Sequence, residues 1–91
     1  MPKICMHFII SGHVQGVFYR SETQKKANTL NLTGYVKNVQ NGNVEVFACG
    51  AEKNIKQFEK WLWHGPKFAQ VTSVTFAECD WQDYDNFVIE Y

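Results

Sequence analysis

The dipeptide Asn41-Gly42 constrains this chain more than any other feature. Both residues accept positive φ at low cost, and together they favour the tight turn whose twist matches two antiparallel strands. They lie between two strand-like runs, about Gly34 to Val39 before them and Val44 to Cys49 after. A β-hairpin therefore occupies the middle of the chain, and the flanking segments must pack around it. The total length of 91 residues suits one domain, residues 1–91, and is too short for two ordinary cores.

Upstream, Ile4 to Ser11 alternates like a strand, with Met6, Phe8 and Ile10 on one face and Cys5, His7 and Ile9 on the other. Gly12 to Tyr19 reads as a glycine-punctuated loop. Arg20 to Asn31 then reads as a helix turning Thr23, Ala27 and Leu30 inward, with Asn31 as a left-handed C-terminal cap. Downstream, Gly50 is expected to open a second helix whose apolar stripe is Ile55, Phe58 and Leu62. Glu52 suits its first turn and Gly65-Pro66 ends it. Val71 to Cys79 forms a fourth strand, Asp80 to Asp85 an acidic loop, and Phe87 to Tyr91 a fifth strand. The aliphatic residues lean the same way, with nine Val and five Ile against three Leu. The order β-α-β-β-α-β plus a short fifth strand predicts an α+β protein, a ferredoxin-like α/β sandwich. Its antiparallel sheet would carry two helices on one face. That architecture hosts enzymes and binding modules alike, so function must come from a site.

Charge and cysteine usage narrow the classes. Nine Lys and Arg balance nine Asp and Glu, whereas a nucleic-acid-binding domain usually carries a basic excess. The apolar runs are too short to span a membrane, and no signal-peptide pattern opens the chain, so a soluble, cytoplasmic domain is expected. A monomer is expected as well. Cys5, Cys49 and Cys79 show no zinc-knuckle spacing. Cys5 and His7 share a strand face, but a zinc site needs three or four ligands, and His13 and His64 come from unrelated contexts. No metal site is expected.

Residues 12–20 read Gly-His-Val-Gln-Gly-Val-Phe-Tyr-Arg, between the first strand and the first helix. Glycines let successive backbone N–H groups turn toward one point, and the helix start adds its own unpaired N–H groups and positive dipole end. Arg20, the single arginine of the chain, adds a permanently charged fork matched to two phosphate oxygens. Together they suit a tetrahedral anion, although a glycine-bearing turn alone is a common way to change direction. Asn38 is the second polar point. It either shapes the hairpin or, lying at the same sheet edge as the loop, aims a water molecule at a bound group.

These two segments resemble the signatures of the acylphosphatases: Gly12-His13-Val14-Gln15-Gly16-Val17-Phe18-Tyr19-Arg20, then Gly34-Tyr35-Val36-Lys37-Asn38 with Gly42-Asn43-Val44-Glu45. The resemblance covers the whole chain and implies a metal-free, cofactor-free enzyme. Its substrate would be a small-molecule acyl phosphate, hydrolysed to a carboxylate and inorganic phosphate. It implies that Arg20 and the backbone N–H groups of about Gln15, Gly16, Val17, Phe18 and Tyr19 bind the phosphoryl group. It also implies that Asn38 orients the attacking water.

Elementary chemistry agrees with that assignment. A carboxylate leaving group has a conjugate-acid pKa of about 4 and departs without a general acid. Phosphoryl transfer is chiefly positioning and stabilisation of oxygen charge, which amides and one arginine supply. His13, His7 and Cys5 read as loop-surface and sheet-face residues. An RNA-binding module of the same fold would place basic and aromatic residues on the third strand, where this chain has Asn43-Val44-Glu45-Val46-Phe47-Ala48. Trp61, Trp63 and Trp81 fall on a helix and a loop, not on one sheet face.

The fold reading carries one covalent expectation. The first and third strands should be antiparallel neighbours. If Cys5 opposes Cys49, then His7 opposes Phe47 and Ile9 opposes Glu45, all on the face without helices. A disulfide between Cys5 and Cys49 then needs only a small local adjustment, leaving Cys79 free, although a reducing cytoplasm opposes it.

Overall fold

The computed structural model describes residues 2–91. Its strands are β1 (Lys3–His13), β2 (Thr33–Asn38), β3 (Val44–Ala51), β4 (Gln70–Cys79) and β5 (Phe87–Glu90). Its helices are α1 (Tyr19–Thr29) and α2 (Glu52–His64). The strands form one sheet in the order β4-β1-β3-β2-β5. Alternation along β1 sends Phe8 and Ile10 to the helix side, where they meet Val36, Val46 and Ala48 from neighbouring strands. Ala27 of α1 and Ile55, Phe58 and Leu62 of α2 close this core. Phe58 sits edge-on to both Phe8 and Phe87, with ring centroids 6.2 and 6.0 Å apart. No helix among the described residues is long and apolar enough to cross a membrane.

Several boundaries differ from the sequence expectation for physical reasons. Gly50 does not open α2. It stays in β3 because the ladder with β1 continues through Ile4↔Gly50 and Lys3↔Ala51. Helix α1 begins at Tyr19 and ends at Thr29, and Asn31 takes the expected left-handed conformation just beyond, at φ 57°. The hairpin loop is longer than two residues. Asn38 pairs with Val44, and Val39 donates its N–H to the Asn43 carbonyl at 3.0 Å. Asn41 and Gly42 both take positive φ, 70° and 81°, at its tip.

The largest departure is the direction of β5. The sheet is mixed, because β5 runs parallel to β2. β4 runs antiparallel to β1 at one edge, and residues 80–86 carry the chain across to the opposite edge. From that end β5 can only run back the same way as β1 and β2. The ends of β1, β2 and β5 therefore share one edge with the start of α1.

The face without helices is not bare. Cys5 pairs with Cys49, His7 with Phe47 and Ile9 with Glu45, as the expected register requires. Cys5 and Cys49 have Cα atoms 4.0 Å apart and sulfurs at disulfide-bonding distance. The crossing segment lies over this face, with the Gln82 N–H 3.4 Å from Cys5 Sγ and Tyr84 against Tyr35 and Phe47. Glu45 collects His7 Nε2 at 2.7 Å, the Tyr35 hydroxyl at 2.9 Å and Lys37 Nζ at 3.6 Å. Partial burial works to raise its pKa, but the hydrogen bonds from His7 and Tyr35 and the charge of Lys37 outweigh it and hold it below the ordinary value of 4.5.

Two expected outcomes follow from this face. A bridge spanning 44 residues should contribute about 4 kcal/mol by the loop-entropy relation. Titration in denaturant without reductant should find one free thiol. Peptide mapping should assign it to Cys79 and must separate this pairing from Cys5–Cys79, because Cys79 flanks Cys5 on its other side. Three free thiols would contradict the bridge. The depressed carboxyl of Glu45 stabilises the fold fully above its unfolded pKa, and that stabilisation fades as pH falls through the folded value. Glu45→Gln should therefore cost stability near neutrality and less at pH 3, as read by denaturant melts. An equal loss at both pH values would contradict the Glu45 account.

Candidate active site

The loop between β1 and α1 is held by alternate burial. Val14, Val17 and Tyr19 point into the core, while Gly16 and Phe18 face outward. Gly12 belongs to the strand: it sits at a β-bulge opposite Val71, and a Cβ there would collide with the Gln70 carbonyl. Gly16 is the loop glycine, at φ 76°, and Phe18 follows in the same left-handed region at φ 65°. For a residue with a Cβ that conformation costs roughly 1–2 kcal/mol.

Phe18 is the residue preceding α1, and no side chain among the described residues caps the helix. The first free backbone N–H groups of α1 and its positive dipole end are thus left facing outward. Tyr19 fixes this helix start. Its ring is buried beside Trp61, and its hydroxyl donates to the Leu62 carbonyl at 2.7 Å. Burial pushes the phenol's pKa well above its ordinary value, so it remains a neutral donor.

A cleft of about 290 Å³ opens at this edge of the sheet. The loop and helix start line it through Val14, Gly16, Phe18, Tyr19, Arg20 and Ser21. Asn38 lines it from the end of β2, and Ile89 and Tyr91 from β5 and just beyond. Arg20 and Asn38, the two side chains singled out in the sequence, are thus brought to one cavity. Arg20 Nη1 donates to the Glu90 carbonyl at 3.3 Å, and its guanidinium lies 4.8 Å from the centroid of the Tyr91 ring. Among the described residues no carboxylate forms an ion pair with it. Its positive charge remains available to an anion in the cleft.

Asn38 Oδ1 is buried without a hydrogen-bond partner among the described residues. An orphaned buried acceptor costs about 1–3 kcal/mol. The amide carries both an acceptor and donors, and rotation about its last bond exchanges their places.

Gln15 and Val17 do not line the cleft. Val17 is buried in the core, and the Gln15 side chain, about which the sequence reading said nothing, makes a contact of its own. Its Nε2 donates to both the Val39 carbonyl, at 3.0 Å, and the Asn43 carbonyl, at 2.8 Å. This clamp ties the β1–α1 loop to the hairpin loop that follows Asn38. Nothing local in the sequence marked it, since it depends on β1 and β2 ending side by side. Ile89, Glu90 and Tyr91 were missed for the same reason. Their approach to Arg20 depends on the direction of β5. The other candidates stand apart. His13 is exposed at the end of β1, His7 is bound to Glu45 on the far face, and Trp81 Nε1 donates to Asp83 Oδ1 at 2.7 Å.

Comparison with known proteins decides the family. The acylphosphatase family model matches residues 6–89. The chain belongs to the acylphosphatase family. It is 47% identical over 93% of its length to the acylphosphatase of Coxiella burnetii, covering 90% of that protein. The solved acylphosphatase structure from the same organism superposes with a TM-score of 0.94 at 44% identity, over 97% of this chain and 93% of the other. The Bacillus subtilis acylphosphatase crystal structure gives a TM-score of 0.93 at 32% identity, over 97% of this chain and 99% of that one. Acylphosphatases are hydrolases, so an enzyme is in hand.

The Gln15 clamp generates a test in this acylphosphatase. Gln15→Leu keeps the side-chain bulk but cannot donate. It should lower stability by about 1–2 kcal/mol, the worth of two such bonds, and weaken inhibition by inorganic phosphate several-fold. A variant with wild-type melting and unchanged phosphate inhibition would show that the clamp does not position the loop.

Proposed function

We propose that this acylphosphatase hydrolyses small-molecule acyl phosphates, holding the phosphoryl group with the Gln15–Arg20 loop and orienting the attacking water with Asn38. The observation that carries this reading is one cleft lined by an arginine, a helix start and an asparagine that, among the described residues, have respectively no ion-pair partner, no side-chain cap and an orphaned acceptor. The first two favour a tetrahedral dianion, and the third favours a water beside it.

In this mechanism the guanidinium fork and the loop N–H groups neutralise the equatorial phosphoryl oxygens as charge redistributes in the transition state. Asn38 Oδ1 accepts a hydrogen from the water and turns its lone pair toward phosphorus. The O–P bond to the acyl group breaks, and the carboxylate leaves with the bonding electrons. Its basicity is too low to require protonation. The water's proton passes to a phosphoryl oxygen, which gives carboxylate and inorganic phosphate. All these groups come from one chain, so a monomer suffices.

Incubation with benzoyl phosphate and excess chelator, followed by loss of ultraviolet absorbance, tests the activity directly. Arg20→Gln should abolish measurable turnover and weaken phosphate inhibition, because the fork contacts phosphate in ground and transition states alike. The loss should be at least about 2–3 kcal/mol. Arg20→Lys should fail nearly as badly, since a point charge lacks the paired donors. Near-normal turnover in either variant would overturn the assignment. Asn38→Ala should lose kcat while phosphate inhibition changes little. A raised KM with normal kcat would instead make Asn38 a binding or turn residue.

A further inference from the structure

Phe18 combines two unfavourable features that no packing among the described residues offsets. Its backbone is left-handed at φ 65°, a region a glycine would occupy without strain. Its side chain is 75% exposed although it is a large aromatic. The loop uses the Phe18 backbone, whose carbonyl accepts the Glu22 N–H at 3.0 Å in the first turn of α1. It does not require the ring. Valines and tyrosine anchor the loop, and Phe18 belongs to neither buried cluster.

The ring stands where a ligand would reach it. Phe18 lines the cleft that holds Arg20 and Asn38, together with the apolar residues Val14, Ile89 and Tyr91. Tyr91 is 99% exposed, so two of the chain's exposed aromatic side chains rim one anion site. The ring of Tyr91 already lies against the Arg20 guanidinium, whereas no hydrogen bond, aromatic contact or cation contact is formed by the Phe18 ring among the described residues. An acyl phosphate with its phosphoryl group at the loop must extend its acyl group out of the cleft, past these residues.

We propose that Phe18 is the specificity-determining residue for the acyl group, its exposed ring favouring flat, apolar acyl phosphates over acetyl phosphate. This rests on the proposed acyl phosphate reaction. The aromatic ring gives up water-exposed surface only when an acyl group of comparable size covers it, so the contact rewards an aromatic acyl group and offers little to a single methyl. Binding at this lip acts on the part of the substrate that does not react.

The test is the ratio of kcat/KM for benzoyl phosphate to kcat/KM for acetyl phosphate, measured with chelator present. The ratio cancels any loss common to both substrates, including loss through the loop N–H groups. Phe18→Ala should reduce it about tenfold, and Phe18→Tyr should retain it. Because the ring is exposed, its truncation removes no core contact. Phe18→Leu, expected to fall between Ala and Tyr, serves if the alanine variant does not fold. An unchanged ratio in Phe18→Ala or Phe18→Leu, with both substrates still hydrolysed, would overturn this inference and leave the proposed function standing. Failure of the wild-type protein to hydrolyse either substrate would overturn both.

Discussion

The Tyr19 phenol, buried between the helices, donates to the Leu62 carbonyl at 2.7 Å, and that bond sets where α1 begins. The residues on either side of Tyr19 then have little choice. Phe18 is turned out to the cleft in a left-handed conformation, and Arg20 enters the helix beside it. The anion-binding part of the site is thus a by-product of a core anchor. One aromatic side chain carried inward keeps an arginine and an uncapped helix start at the surface. Gly65, at the end of α2, fits this contact closely, since a Cβ there would come within 2.9 Å of the Tyr19 ring.

Topology supplies the rest. β1, β2 and β5 end at the same edge of the sheet because β5 runs parallel to β2 after the chain has crossed from the opposite edge. Had the fifth strand run the other way, the Glu90 carbonyl and the Tyr91 ring would lie far from Arg20. The crossing segment serves both ends of the molecule. It rests Gln82 and Tyr84 on the face that holds Cys5, Cys49 and the Glu45 cluster, and it delivers residues 89–91 to the cleft. Covalent and ionic reinforcement of that face therefore bears on the site without touching it.

How much of this was legible in the sequence follows the range of each interaction. The hairpin, the helix stripes and the Cys5–Cys49 register depend on local periodicity and on one neighbour relation, and the expected pairs are the observed ones. Arg20 and Asn38 stood out because a lone arginine after a glycine-bearing turn, and an asparagine at a strand end, carry their chemistry in their own side chains. The Gln15 clamp and the contribution of residues 89–91 were illegible. Each is an ordinary residue made useful by a strand end some distance away in the chain. Gly50 misled for a related reason: it resembles a helix opener locally, while the ladder with β1 keeps it in β3.

The central claim is that the start of α1, Arg20 and the ends of β2 and β5 form one phosphate site. Titration of the isotopically labelled protein with inorganic phosphate, followed by amide and arginine side-chain resonances, tests it most directly. The account predicts saturable shifts at Gly16, Phe18, Tyr19, the Arg20 guanidinium and Asn38, with His7, Glu45 and Cys79 unmoved. Shifts centred on the His7–Glu45 face, or none at the loop at phosphate concentrations that inhibit turnover, would contradict it.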